Sequence, residues 1–207
     1  MNANRLVVAG IDEAGRGPLA GPVVAAAVVL NPEKPILGLG DSKKLSEKKR
    51  EALVEPIFLR ALSVGIGVVS HKLIDSMNIL RASLYAMKLA VDDLGLQIHE
   101  AWIDGNQKAP LDPKIIQKTF IGGDNLHACI MAASIVAKVH RDQLMLSYAK
   151  TYPNYGFEQH KGYGTAAHFL ALEQFGPCEI HRRSFEPVSS MQHHFGHVPN
   201  GQIHSER

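Results

Sequence analysis

Short apolar runs bounded by turn residues dominate the first part of the chain and predict strands over 5–11, 23–30, 64–70, 98–104 and 115–121. Between them the period changes. Met77, Leu80, Leu84, Met87, Val91 and Leu94 recur at three- and four-residue steps, which predicts a helix over 77–94 stopped by Gly95. Ser46 is placed to cap a helix with Glu47 in its first turn, and Pro56 is expected to kink or end it. A second long helix is predicted over 127–150, before Tyr152-Pro153, and a short one runs from a Thr165 cap to Gly176. Strands first, then strands alternating with helices, define an α/β or α+β domain. Residues 189–207 lose this order and read as a solvated polar tail, despite His193, His194, His197 and His204.

Composition narrows the picture. At 207 residues and 45% hydrophobic content, the chain can bury a sizeable core in one domain, which excludes a disordered protein. Its 22 Lys+Arg against 20 Asp+Glu exclude a strongly basic, non-specific nucleic-acid binder, so any such affinity must come from uneven placement of charge. Cys129 and Cys178 lack metal-type spacing and read as two reduced thiols. The first apolar run is too short for a secretory signal and no segment is long enough to span a bilayer, so a cytoplasmic location is expected.

The chemistry concentrates in residues 10–21, GIDEAGRGPLAG. Asp12 and Glu13 directly follow the run Leu6–Ile11, read as a buried strand with a glycine turn behind it. Two adjacent carboxylates there are costly unless something positive neutralises them. A phosphate-cradling P-loop fails, because Arg16 replaces its lysine, Gly17 its hydroxyl residue, and the acidic pair would lie inside the cradle. Gly15-Arg16-Gly17-Pro18-Leu19-Ala20 fits the dinucleotide fingerprint formally, but a second strand follows where that fingerprint requires a helix.

Asp104 and Asp124 repeat the arrangement, each at the end of an apolar run and beside a Gly/Asn turn. Singly, such aspartates are ordinary turn chemistry, and Asp124 also stands where a cap would precede the 127–150 helix. Glu13 is harder to explain that way. Four converging carboxylates would call for hard cations, Mg2+ or Mn2+, and two ions about 4 Å apart suit in-line phosphoryl displacement by water. Lys138 and Asp142, four apart, read as a surface pair, and Ser134 as a packed helix residue.

At this point the chain resembles the bacterial ribonuclease HII family, the type 2 ribonucleases H. The resemblance is carried by Val8–Pro18, Asp41-Ser42-Lys43-Lys44-Leu45-Ser46, Ile103-Asp104-Gly105-Asn106, Ala132–Val139 with Arg141-Asp142, and Tyr155-Gly156-Phe157 leading to His160-Lys161-Gly162-Tyr163. It implies an RNase H-like mixed sheet flanked by helices, with a helical C-terminal extension. The catalytic domain would cover 5–188, with a core of about 5–150 and the extension over about 151–188. It also implies metal-dependent hydrolysis of the RNA strand of RNA–DNA hybrids, including at single ribonucleotides embedded in duplex DNA, leaving 5′-phosphomonoesters, by a monomer. By the same resemblance Asp12, Glu13, Asp104 and Asp124 hold the metals and Gly15, Arg16 and Gly17 sense the ribose 2′-hydroxyl. Tyr163 stacks on the following sugar, and Lys43 and Lys44 meet phosphates. The family usually shows lysine before the Gly-Asp pair and often serine after it, against Gly123 and Asn125 here.

Overall fold

The computed structural model describes residues 6–39 and 45–195. Lys43, Lys44, His197 and His204 lie outside the described residues, as do the side chains of His193 and His194. Five strands, β1 (Val8–Ala14), β2 (Val23–Val29), β3 (Ser63–Val69), β4 (Glu100–Asp104) and β5 (Ile116–Phe120), form one mixed sheet in the order β3-β2-β1-β4-β5. The three strands β1 to β3 are joined as an antiparallel meander, and β4 and β5 add in parallel on the other side of β1.

The helices are α1 (Glu47–Arg60), α2 (His71–Met77), α3 (Ile79–Asp92), α4 (Ala128–Thr151), α5 (Phe157–His160), α6 (Ala166–Phe175) and α7 (Val188–Phe195). Strand alternation divides the interior in two. Ala9, Ile11, Ala25 and Ala27 meet α3, whereas Ala26 and Val28 meet α4 and Ile57 of α1. A third cluster joins Leu19, Ala20 and Met145 to Tyr155, Phe157, Leu172, Ile180 and Val188 of the C-terminal part. Burying a residue such as Ile11, Ile57 or Ile135 completely contributes about 1.5–3 kcal/mol.

Four sequence expectations change. Asp12 and Glu13 lie inside β1 rather than after it, because the Val-Ala ladder of β2 extends the pairing to Asp12↔Ala26 and Glu13↔Ala25. The helix expected over 77–94 runs over Ile79–Asp92 and begins later than expected, because Met77 ends α2 and Asn78, with a positive φ of 71°, turns the chain and caps α3. Apart from the exposed Leu80, the expected stripe does face the core, with Met87 and Leu94 buried and Leu84 and Val91 packed against it, but it shares that face with Ala82, Ser83, Ala86 and Ala90. Small residues are needed there, since a Cβ on Gly67 would stand 2.0 Å from the Ala86 carbonyl oxygen. Helix α1 runs through Pro56 to Arg60, held by Ile57 packed beneath α4. Finally, Val188–Phe195 is helical instead of a loose tail, anchored by the buried Val188 and by Met191. Ser46 and Thr165 cap α1 and α6 as expected, and Gly176 closes α6.

Candidate active site

The strand register places the first two acidic groups. Gly10 of β1 lies directly under the start of α4, where a Cβ would come within 2.1 Å of the Cys129 backbone. Two residues along a strand advance about 6.6 Å, and four along a helix about 6 Å. Asp12 therefore arrives under Ser134, whose hydroxyl lies close enough to favour its charged form, and its Oδ1 accepts the Glu13 amide at 2.7 Å. Glu13, one residue on, projects toward the α3 face and takes a 3.1 Å ion pair from Arg16. The parallel pairing Ile11↔Ile103 brings Asp104 beside Asp12 one residue further on, and Asp104 Oδ1 accepts the Gly123 amide at 2.7 Å. Asp124 is buried in a 3-10 turn over Gly123–Asn125 that leads into α4, and Asn125 Nδ2 donates to its Oδ1 at 2.9 Å. The residue ahead of the Gly123-Asp124 pair is Gly122.

All four carboxylates line one cleft of about 460 Å³, together with Gly15, Arg16, Gly17, Arg50, Ser134, Lys138 and Tyr163. Burial raises the Asp12 carboxyl well above the usual carboxylate range, and the negative charges of Glu13 and Asp104 push the same way. Burial also raises Glu13, against the pull of Arg16. Among the described residues no three acidic, His or Cys side chains form a ready-made metal cage, each carboxylate here being turned to a local donor. The donor set itself is all oxygen, with no thiol or imidazole on the cleft, which is the chemistry a hard divalent cation takes.

The glycine loop and Tyr163 line the same cleft. A Cβ on Gly17 would stand 3.7 Å from Tyr163 Cε1 and meet nothing closer. Tyr163 is 43% exposed, with Lys138 Nζ and the Arg141 guanidinium each 5.9 Å from its ring centre. A buried histidine relay fixes its backbone. The Cys178 amide donates to His181 Nδ1, His181 Nε2 meets His168 Nε2 at 3.0 Å, and His168 Nδ1 meets the Tyr163 carbonyl at 2.9 Å. The carbonyl can only accept and the amide can only donate, so the protons sit on His168 Nδ1 and His181 Nε2 and both rings are neutral.

Three cleft residues escape a reading of end-of-strand acids. Ser134 contacts Asp12 instead of merely packing. Lys138 makes the expected pair with Asp142 at 2.9 Å, but Asp142 is buried rather than on the surface and Lys138 lines the cleft. Arg50 enters from α1, held by the Leu45 carbonyl. The available signal was the four-residue spacing of Ser134, Lys138 and Asp142, a polar stripe on an otherwise apolar helix.

A family model for ribonuclease HII matches residues 9–188. The chain is 55% identical over 183 residues to ribonuclease HII of Dechloromonas aromatica (strain RCB), covering 88% of this chain and 92% of that one. It is 53% identical over 182 residues to ribonuclease HII of Burkholderia pseudomallei (strain 668), covering 88% and 84%. Among solved structures, ribonuclease H2 from Pyrococcus horikoshii OT3 superposes with a TM-score of 0.76 at 27% identity, over 92% of this chain and 99% of that one. Bst-RNase HIII in complex with Mn2+ shares the fold, with a TM-score of 0.69 at 16% identity over 93% and 71%. Sheet, flanking helices and helical C-terminal region thus define a nuclease of the RNase H-like class. Within that class, the chain belongs to the ribonuclease HII family.

Proposed function

We propose that this ribonuclease is an endonuclease that hydrolyses the RNA strand of RNA–DNA hybrids, including at single ribonucleotides in duplex DNA, using Mg2+ or Mn2+. The observation that carries the reading is the meeting of Asp12, Glu13, Asp104 and Asp124 in one cleft beside the Gly15-Arg16-Gly17 loop. These four carboxylates are the residues that would hold the cations. When bound, two such ions supply an activated water and charge stabilisation at the leaving oxygen, yielding a 5′-phosphomonoester.

The chain's own groups have defined tasks. Ser134 and the Glu13 amide hold the Asp12 carboxylate in place. Arg16 restrains Glu13 through their ion pair. The glycine loop brings main chain against the ribose, where the 2′-hydroxyl distinguishes RNA from DNA. Tyr163 offers its open face to the next sugar, Lys138 adds positive charge beside it, and Lys43 and Lys44 are assigned to backbone phosphates. We assign residues 5–188 to one catalytic domain, with a core of about 5–150 and an extension over about 151–188, acting as a cytoplasmic monomer in ribonucleotide removal and replication. Among the described residues no helix is long and apolar enough to cross a membrane.

The deciding experiment maps cut positions on a duplex bearing one ribonucleotide, with and without magnesium. A single magnesium-dependent cut at the ribonucleotide is expected. Equal cutting of an all-DNA duplex would identify a general DNA nuclease instead, and binding without turnover a non-catalytic hybrid-binding protein.

A further inference from the structure

Two arginines are buried almost completely beneath the glycine loop, Arg141 at 1% and Arg182 at 0% exposure, and every hydrogen-bond acceptor they meet is a main-chain carbonyl. Such an arrangement is costly, because a guanidinium taken out of water is ordinarily compensated by a carboxylate. Burial and the neighbouring Arg141 push Arg182 down to about 9, so it remains a cation at neutral pH.

Arg182 comes from the far end of the chain. Its Nη2 donates to the Gly15 carbonyl at 2.5 Å and to that of Pro22 at 3.2 Å, its Nη1 to that of Arg16 at 2.8 Å, and its Nε to that of Gly21 at 3.0 Å. The same segment is stitched to the loop by main-chain bonds from Arg182 to Leu19 and from Gly21 to Ile180. Arg141 lies against the loop's first residue. A Cβ on Gly15, whose φ is +94°, would stand 2.7 Å from its Nε.

We infer that Arg182 is a positioning residue for substrate: by drawing the Gly15 and Arg16 carbonyls inward, it turns the Arg16 and Gly17 amides outward into the cleft as a paired donor site for a sugar or phosphate oxygen. The step from carbonyl to amide is geometric. In a planar trans peptide the oxygen of one residue and the N–H of the next point in opposite directions. Two successive outward amides form the concave donor pair that binds oxygen anions and hydroxyls. Neither amide donates to another group among the described residues. The inference rests on the proposed substrate role of the loop and adds what fixes the loop's orientation.

The test measures KM and kcat on a DNA duplex with one ribonucleotide, in magnesium, for wild type, R182Q, R182K and G17A. R182Q leaves the carboxylates untouched and is expected to raise KM about tenfold or more, the effect of losing one or two hydrogen bonds to an oxygen, with a smaller change in kcat. A merely structural loss would instead reduce the active fraction, lowering kcat at constant KM. R182K keeps the charge but cannot reach all the carbonyls, and its KM should fall between the two. Should R182Q fail to fold, R182K decides, and a wild-type KM there overturns the assignment. G17A places a methyl over the outward amide without backbone strain. Raised KM in G17A with wild-type KM in R182Q would overturn the role of Arg182 alone, whereas wild-type KM in both would overturn the substrate role of the loop.

Discussion

Asp12 carries the cost of the site in one side chain. It is buried, next to Glu13 and Asp104, and stabilised only by Ser134 and one amide. D12N should abolish turnover and raise Tm at pH 7 by roughly 2–4 °C, the shift that about 1 kcal/mol gives a domain of this size. The sign with pH is fixed by linkage. The folded protein favours protonated Asp12, so the penalty is full above its raised value and relieved as pH falls through it. The Tm gain of D12N should therefore shrink on acidification, and a gain constant with pH would refute charge burial as its source. Y163A should weaken cleavage at single embedded ribonucleotides about tenfold more than along continuous hybrids, as one lost stacking contact implies; equal loss on both substrates would remove Tyr163 from sugar recognition. The four acids were legible because each closes an apolar run beside a turn. Ser134 was not, since nothing in a helix of alternating Ala, Ser and Val says which turn will lie over Asp12. The glycine loop could be picked out by its residues, but not the arginine beneath it, 167 positions away.

At the scale of elements, the strands were legible from their apolar runs and the capped helices from Ser46, Thr165 and Gly176. The buried face of α3 was legible in part: the predicted stripe packs on the core, but the alanines beside it were not singled out. Hydrophobic spacing selects the largest side chains, but Gly65 and Gly67 of β3 let the α3 backbone at Ala86 and Ala90 come within 2.0–2.1 Å of where a Cβ would stand, so small residues sit at that contact. The interface is set by backbone approach, which a count of apolar residues does not register. G67A is accordingly expected to destabilise the fold by roughly 1–3 kcal/mol through overpacking, read as a lower urea midpoint at unchanged slope. Asn78 is the other local determinant that was missed. Its positive φ splits α2 from α3 at a position that side-chain periodicity passes straight through.

Across the whole molecule, the C-terminal part is held by buried polar groups as well as by its apolar cluster. His168 and His181 are fully buried and neutral, pushed down to about 4 and about 3, chiefly by burial and for His181 also by His168. The unfolded chain takes up protons at these sites near pH 6.5 and the folded chain does not, so this stability is complete above about pH 6.5 and is lost as pH falls toward 4. For His168 alone the loss by pH 4 is of order 3 kcal/mol. Asp12 and Glu13 act in the opposite sense over part of that window. Hence the Tm of D12N should fall more steeply between pH 6.5 and 4 than that of wild type, and parallel curves would show that the two groups do not oppose each other.

The strap of residues 180–182 across residues 19–21 also sets an order in time. A ribosome adding roughly 5–20 residues per second needs on the order of ten to thirty seconds to travel the 167 positions from Gly15 to Arg182. Throughout that interval a nascent chain can own its acidic pair while the carbonyls behind it wait for their cation. A polypeptide stalled or clipped before that arginine would keep the acidic pair and the glycine loop but lack the cation assigned to orienting that loop, so the loop would gain its binding orientation only once synthesis has passed residue 182.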